Sequence, residues 1–274
     1  DDIVLGLVYG NEARAYPRDA IARPHYFTDT IGGTPLIVSY CILCNSGIAF
    51  ESELDGRALD LKCVTAYNNN IIYYEPATGN FIQQLDGKVV YGPDVGKALV
   101  AHPVVLSTWG AWKHLHPQTT LYHAPAVTLR DKMVAMMLQL MIPIAKLSRR
   151  STPWHRVRGT LDKRQPAMSY VVGVEINADS CAYPVDALHR NPVLCDTVGG
   201  ESIAVFYDAE HDVAGVFSRN LDATQALTFT AASRSATAAV ARDRETGTLW
   251  NVAGKGLEGP LAGRTLATVP HFNK

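Results

Sequence analysis

Short apolar runs recur along the chain, each bounded by turn residues and each too brief to make a helix of useful length. IVLGLVY (3–9) and YVVGVEI (170–176) are rich in β-branched residues, and TPLIVSY (34–40) and ESIAVFY (201–207) each follow a Gly-Gly pair. Such runs between glycines predict strands closed by tight turns. NNIIYYEPATGNFIQQLDGKVVYGP (69–93) reads as successive hairpin strands, with PATG and LDG as the turns. AYPRDAIARP (15–24) places Pro where a first helical turn accepts it, so a short helix is expected between the early strands.

The pattern repeats. AYPRDAIARPHYFTDTIGG (15–33) aligns without a gap to AYPVDALHRNPVLCDTVGG (182–200), an offset of 167 with 10 of 19 positions identical. The same offset carries Tyr40 onto Tyr207, Phe50 onto Phe217 and GPDVGKAL (92–99) onto GPLAGRTL (259–266). The expected fold is β-rich α+β: two tandem copies of one small antiparallel sheet or barrel domain with short helices. The boundaries that follow are a first repeat over 1–125, a connector over 126–168 and a second repeat over 169–274. The first copy alone continues into LSTWGAWKHL, where Trp109, Trp112 and Leu115 fall three apart on one helical face.

Composition narrows the function classes. The chain has 274 residues, 47% hydrophobic and 19% charged, which suits an ordinary globular protein with a sizeable core. A formal net charge of −1 argues against a nucleic-acid partner. The opening DDIVLGLVYG holds no basic-then-apolar leader, and no apolar run reaches the length of a membrane span. Five cysteines are too few for a disulfide scaffold of this size, and an odd number leaves one thiol over.

The repeat acts as an internal control on the chemistry. Gly32-Gly33, Tyr16-Pro17 and Asp29-Thr30 occur in both copies and belong to the fold. Cys41, Cys44 and His25 occur in the first copy only, with Asp208, His211 and Pro192 at the matching positions. The first copy thus reads as an active module beside a degenerate one. A harder nitrogen–oxygen site at Asp208, His211 and His189 is the lesser alternative.

At these residues the chain resembles the DUF3179 family of bacterial and archaeal proteins. HYFTDTIGGTPLIVSYCILCNSGIAF and AYNNNIIYYEPATGNFIQQLDGKVVYGPDVGKAL carry the likeness, with Tyr-Cys-x-Leu-Cys after the Gly-Gly turn its most specific part. Departures are Ile42, Glu75 and Phe81, where the family tends to Pro, Asp and Trp. The resemblance implies an exported or membrane-associated protein and no particular reaction.

Three readings of Cys41-x-x-Cys44 stay open. With His25 the two thiolates form a Cys2His set suited to copper or zinc, with an open position for a small molecule. That makes a soft-metal protein, either a metal-dependent oxidoreductase or a non-catalytic binding and delivery protein. The second reading is a thiol–disulfide couple, and the third is an inert disulfide or a pair of buried thiols. Tyr40, Tyr67, Asn68 and Asn70 are candidates to line a pocket or support the ligands.

Other signals are weaker. GKGLEG (254–259) has dinucleotide-loop spacing but opens no helix, and His114-x-His116 ends a helical pattern at Pro117. Cys63, in an alternating run, is expected in the core. In the connector, Met133, Met136, Met137 and Met141 precede a basic run that includes Arg149 and Arg150. A helix over 133–142 packed mainly on protein is expected, with membrane-surface contact through residues 133–164 as its rival.

Overall fold

The structure is a computed structural model and describes residues 2–21, 24–41, 45–68, 70–123, 129, 133, 136, 160, 162–166, 169–222, 225–233 and 238–273. It is β-rich, 54% strand and 9% helix, and built of several small, almost wholly antiparallel sheets. Strands β1 (Ile3–Tyr9) and β2 (Glu12–Pro17) form a hairpin, followed by helix α1 (Arg18–Ile21). Strands β3 (Tyr26–Ile31), β4 (Thr34–Cys41) and β5 (Ser46–Glu51) then make a meander. Gly32 and Gly33, at φ 56° and 83°, turn β3 into β4 as a two-residue loop of the kind that needs two positive φ values.

These strands lie in layers. Alternation along β4 sends Leu36, Val38 and Tyr40 to one face and Ile37, Ser39 and Cys41 to the other. The first face packs on Leu5, Leu7 and Tyr16 of the β1–β2 sheet. The second packs on Ile71, Tyr73 and Ile82, from a sheet of Lys62–Tyr67, Asn70–Glu75, Asn80–Gln83 and Val89–Tyr91. A strand buried on both faces reads as a nearly unbroken apolar run, which is why LIVSYC shows so little polar alternation.

The second half uses the same registers. Val4 pairs with Pro17 and Val171 with Pro184; Ile31 with Thr34 and Val198 with Glu201; Cys41 with Ser46 and Asp208 with Val213. Each second pair lies 167 positions after the first. Gly87 and Gly254, at φ 69° and 73°, both sit where a Cβ would meet a phenylalanine ring, 2.7 Å from Phe50 and 2.5 Å from Phe217.

The tails differ. Thr108 caps the helix Trp109–Leu115, its hydroxyl accepting from Ala111 N at 3.2 Å, and Trp112 lies over Gly6. In the second half it is Phe272, from the strand His271–Asn273, that lies over Gly173. The halves meet through a Lys88–Glu175 ion pair and through Val105 and Leu115, which pack on the core around Phe206 and Trp250.

Candidate thiol site

Cys41 and Ser46 are the last paired residues of β4 and β5 before the connecting loop, and Cys41 is only 2% exposed. Cys41 is disulfide-bonded, whereas Cys63, Cys181 and Cys195 carry free thiols. Cys44, with Ile42 and Leu43, lies outside the described residues.

A buried polar network adjoins Cys41 on its own face of the sheet. Ser46 Oγ donates to Gln84 Oε1 at 3.0 Å, and Asn70 Nδ2 donates to the same oxygen at 2.7 Å. Gln84 Nε2 returns a bond to the Ser46 carbonyl at 3.2 Å, and Asn70 Oδ1 accepts from Leu85 N at 3.0 Å. All three side chains are fully buried. Two residues back on the same face, Ser39 Oγ and Tyr73 Oη share a hydrogen bond of 2.7 Å, and Tyr73 donates to the His25 carbonyl at 3.2 Å. Burial pushes the Tyr73 hydroxyl up, so it remains a neutral donor. At the positions 167 further on, Ser39, Cys41 and Ser46 give way to Phe206, Asp208 and Val213.

His25 enters from the end of β3. Its φ of 67° is unusual outside glycine, and its N–H donates to the Ile21 carbonyl at 2.8 Å just past helix α1. Its carbonyl accepts from Tyr40 N at 2.9 Å. Burial lowers the imidazole pKa, against a backbone hydrogen bond to Tyr40, so the ring is neutral at pH 7. Its Nδ1 is buried and has no hydrogen-bond partner among the described residues.

The other expected pocket residues divide. Asn70 belongs to the network, but Tyr40 faces the opposite core, and its hydroxyl donates to Asn45 Oδ1 at 2.9 Å. Tyr67 is 48% exposed, and Asn68, at φ 48°, is also at the surface. Cys63 corrects the expectation of a core thiol: Lys62–Tyr67 is the edge strand of its sheet and is exposed throughout. Sequence reasoning missed Ser39, Ser46, Tyr73 and Gln84. The first two had a signal, as lone hydroxyls inside the apolar runs of a doubly buried hairpin.

In the second half, His211 Nδ1 and Asp208 Oδ2 are 2.6 Å apart, and Tyr207 Oη lies 2.9 Å from His189 Nε2 and donates to Asp212 Oδ1 at 2.6 Å. Among the described residues, no group of three or more His, Cys, Asp or Glu is arranged to hold a metal ion. Most of the connector, with the helix expected over 133–142, lies outside the described residues; Leu129, Met133 and Met136 are described and are exposed. Among the described residues no helix is long and apolar enough to cross a membrane.

A family profile described as "protein of unknown function (DUF3179)" matches residues 1–274, the whole chain. No curated protein and no solved structure matches it.

Proposed function

The chain belongs to DUF3179, a family described only as of unknown function, and from that premise we propose that Cys41 and Cys44 form a thiol–disulfide couple that exchanges electrons with other thiols. The observation that carries the reading is that Cys41 is disulfide-bonded while Cys63, Cys181 and Cys195 are free. Cys44 is the one cysteine left in the sequence to partner it. A bridge between such near neighbours is a poor staple: closing so short a loop stabilises a fold by about 2 kcal/mol, against about 4.7 for a 100-residue loop. Three-layer packing already holds the hairpin, so redox exchange accounts for the pair better than stapling does. The experiment is a redox titration of the folded protein against glutathione, with Cys41 followed by alkylation and peptide mass. A Cys41 that stays oxidised at every glutathione ratio would sink the proposal.

A second reading, the soft-metal protein, is favoured by His25. Its imidazole is neutral, and its Nδ1 is buried without a partner among the described residues. Both are conditions for a ligand nitrogen. Reduced Cys41 and Cys44 with His25 would form a Cys2His set for copper or zinc. Elemental analysis of protein purified in reductant tests it, and metal content unchanged in a Cys41→Ser, Cys44→Ser variant would exclude it. Both readings take 1–125 and 169–274 as copies of one domain, only the first of which keeps the cysteines. The shared strand registers support that division.

A further inference from the structure

We propose that Ser46, held by Gln84, is the hydrogen-bond donor that receives the Cys41 sulfur when its disulfide opens, and that this pair sets the reduction potential. The inference rests on the thiol–disulfide reading and deepens it.

Cys41 and Ser46 are direct cross-strand partners, so their side chains share one face with Cβ atoms about 5 Å apart. Both are nearly inaccessible, at 2% and 1% exposure. An incoming thiolate therefore cannot line up on the Cys41 sulfur. It attacks the sulfur bonded to Cys41, and Cys41 is the leaving group. The electron pair of the broken S–S bond passes to the Cys41 sulfur, which stays a thiolate held by the Ser46 hydroxyl. A second external thiolate attacks the mixed disulfide. The net change is one protein disulfide and two small thiols to one protein thiolate, one protein thiol, one proton and one small disulfide.

A thiolate released among Ile37, Ile71 and Ile82 would be costly without a donor. Ser46 can supply one. In the oxidised protein its hydroxyl donates to Gln84 Oε1 at 3.0 Å, an oxygen that also accepts from Asn70 at 2.7 Å. If the Ser46 proton swings to Cys41, Gln84 Oε1 still keeps Asn70. Gln84 Nε2 stays on the Ser46 carbonyl and Asn70 Oδ1 on Leu85 N. One hydroxyl rotor thus serves Gln84 in the oxidised state and sulfur in the reduced state. The hairpin of matching register has Asp208 and Val213 here, with neither sulfur nor hydroxyl.

The two partners of the rotor predict shifts of opposite sign. Ser46→Ala removes a charge-assisted bond from the reduced state and a weaker neutral one from the oxidised state. Its equilibrium with glutathione should move about tenfold toward the disulfide, about 30 mV more negative. Ser46→Thr keeps the hydroxyl and should restore the wild-type value. Gln84→Met removes the oxidised-state acceptor and should move the equilibrium about fivefold the other way. A purely structural role would lower the unfolding midpoint of both variants and leave both equilibria unchanged. If wild-type Cys41 exchanges and Ser46→Ala matches it, the assignment of Ser46 falls while the couple stands. If wild-type Cys41 never exchanges, both fall. Should Ser46→Ala not fold, an unshifted Gln84→Met decides against the proposal.

Discussion

Tyr16 Oη donates to Asp29 Oδ2 at 2.7 Å, tying the end of β2 to the middle of β3. Tyr183 does the same to Asp196 at 2.9 Å, 167 positions later. The contact explains why this Tyr and this Asp stand in both halves. The second carboxylate oxygen caps the next peptide, Thr30 N at 2.7 Å and Thr197 N at 2.8 Å. Tyr16→Phe should cost about 2 kcal/mol, the usual worth of a buried hydrogen bond to a charged group. Urea unfolding measures it; a loss below a few tenths would show that Arg14, which donates to both Asp29 oxygens, suffices alone.

Thiol counting gives a quick check at Cys41. Denatured without reductant, the protein should react with Ellman's reagent at three thiols, matching Cys63, Cys181 and Cys195, and after reduction at all five. Cys41→Ser should add one reactive thiol to the unreduced count. Five thiols in unreduced wild type would remove the disulfide.

Stability should fall in mild acid. Burial lowers the pKa of both His25 and His271 below the ordinary 6.5, so the unfolded chain binds more protons than the folded one. The stabilisation is complete above pH 6.5 and is lost as pH drops below it. His271 is 2% exposed, with Nδ1 2.8 Å from the Val269 carbonyl and no partner for Nε2 among the described residues. Its place 167 positions earlier is held by buried Val104. His271→Val should therefore flatten the decline in urea midpoint between pH 7 and pH 5. An unchanged slope would assign the acid sensitivity elsewhere.

Gly87→Ala should destabilise by about 2 kcal/mol or more, because a positive φ and the Phe50 ring penalise the same Cβ. Gly33→Ala meets nothing within 4 Å and bears only the backbone penalty at φ 83°, so its loss should be smaller. Thermal unfolding of the two variants compares them directly; equal losses would mean that the ring moves aside freely.

Much of this was legible in the chain because hairpins are local. The turn at Gly32-Gly33 and the strands on either side announce themselves within a few residues. Partners distant in sequence do not. Nothing near Ser46 names Gln84, 38 positions away, as the amide that binds it. Alternation in LKCVTAY says that one side of a strand faces inward, but not that the strand ends its sheet, and so Cys63 proved exposed. Cys41 could be placed next to a turn, yet its burial depends on a sheet formed thirty and more residues later.

The hairpin β4–β5 is packed on both faces, and so is its counterpart of identical register, Glu201–Asp208 with Val213–Ser218. In the second hairpin the joining residues 209–212 are exposed. One frame accepts Cys-Ile-Leu-Cys-Asn at this corner and the other Asp-Ala-Glu-His-Asp, while the paired residues behind them hold the same spacing. One hairpin register thus carries two different corner sequences, opening on buried Cys41 in one and on half-buried Asp208 in the other. Protein engineering can use that shared register directly, by grafting residues 41–45 onto 208–212 together with Val213→Ser.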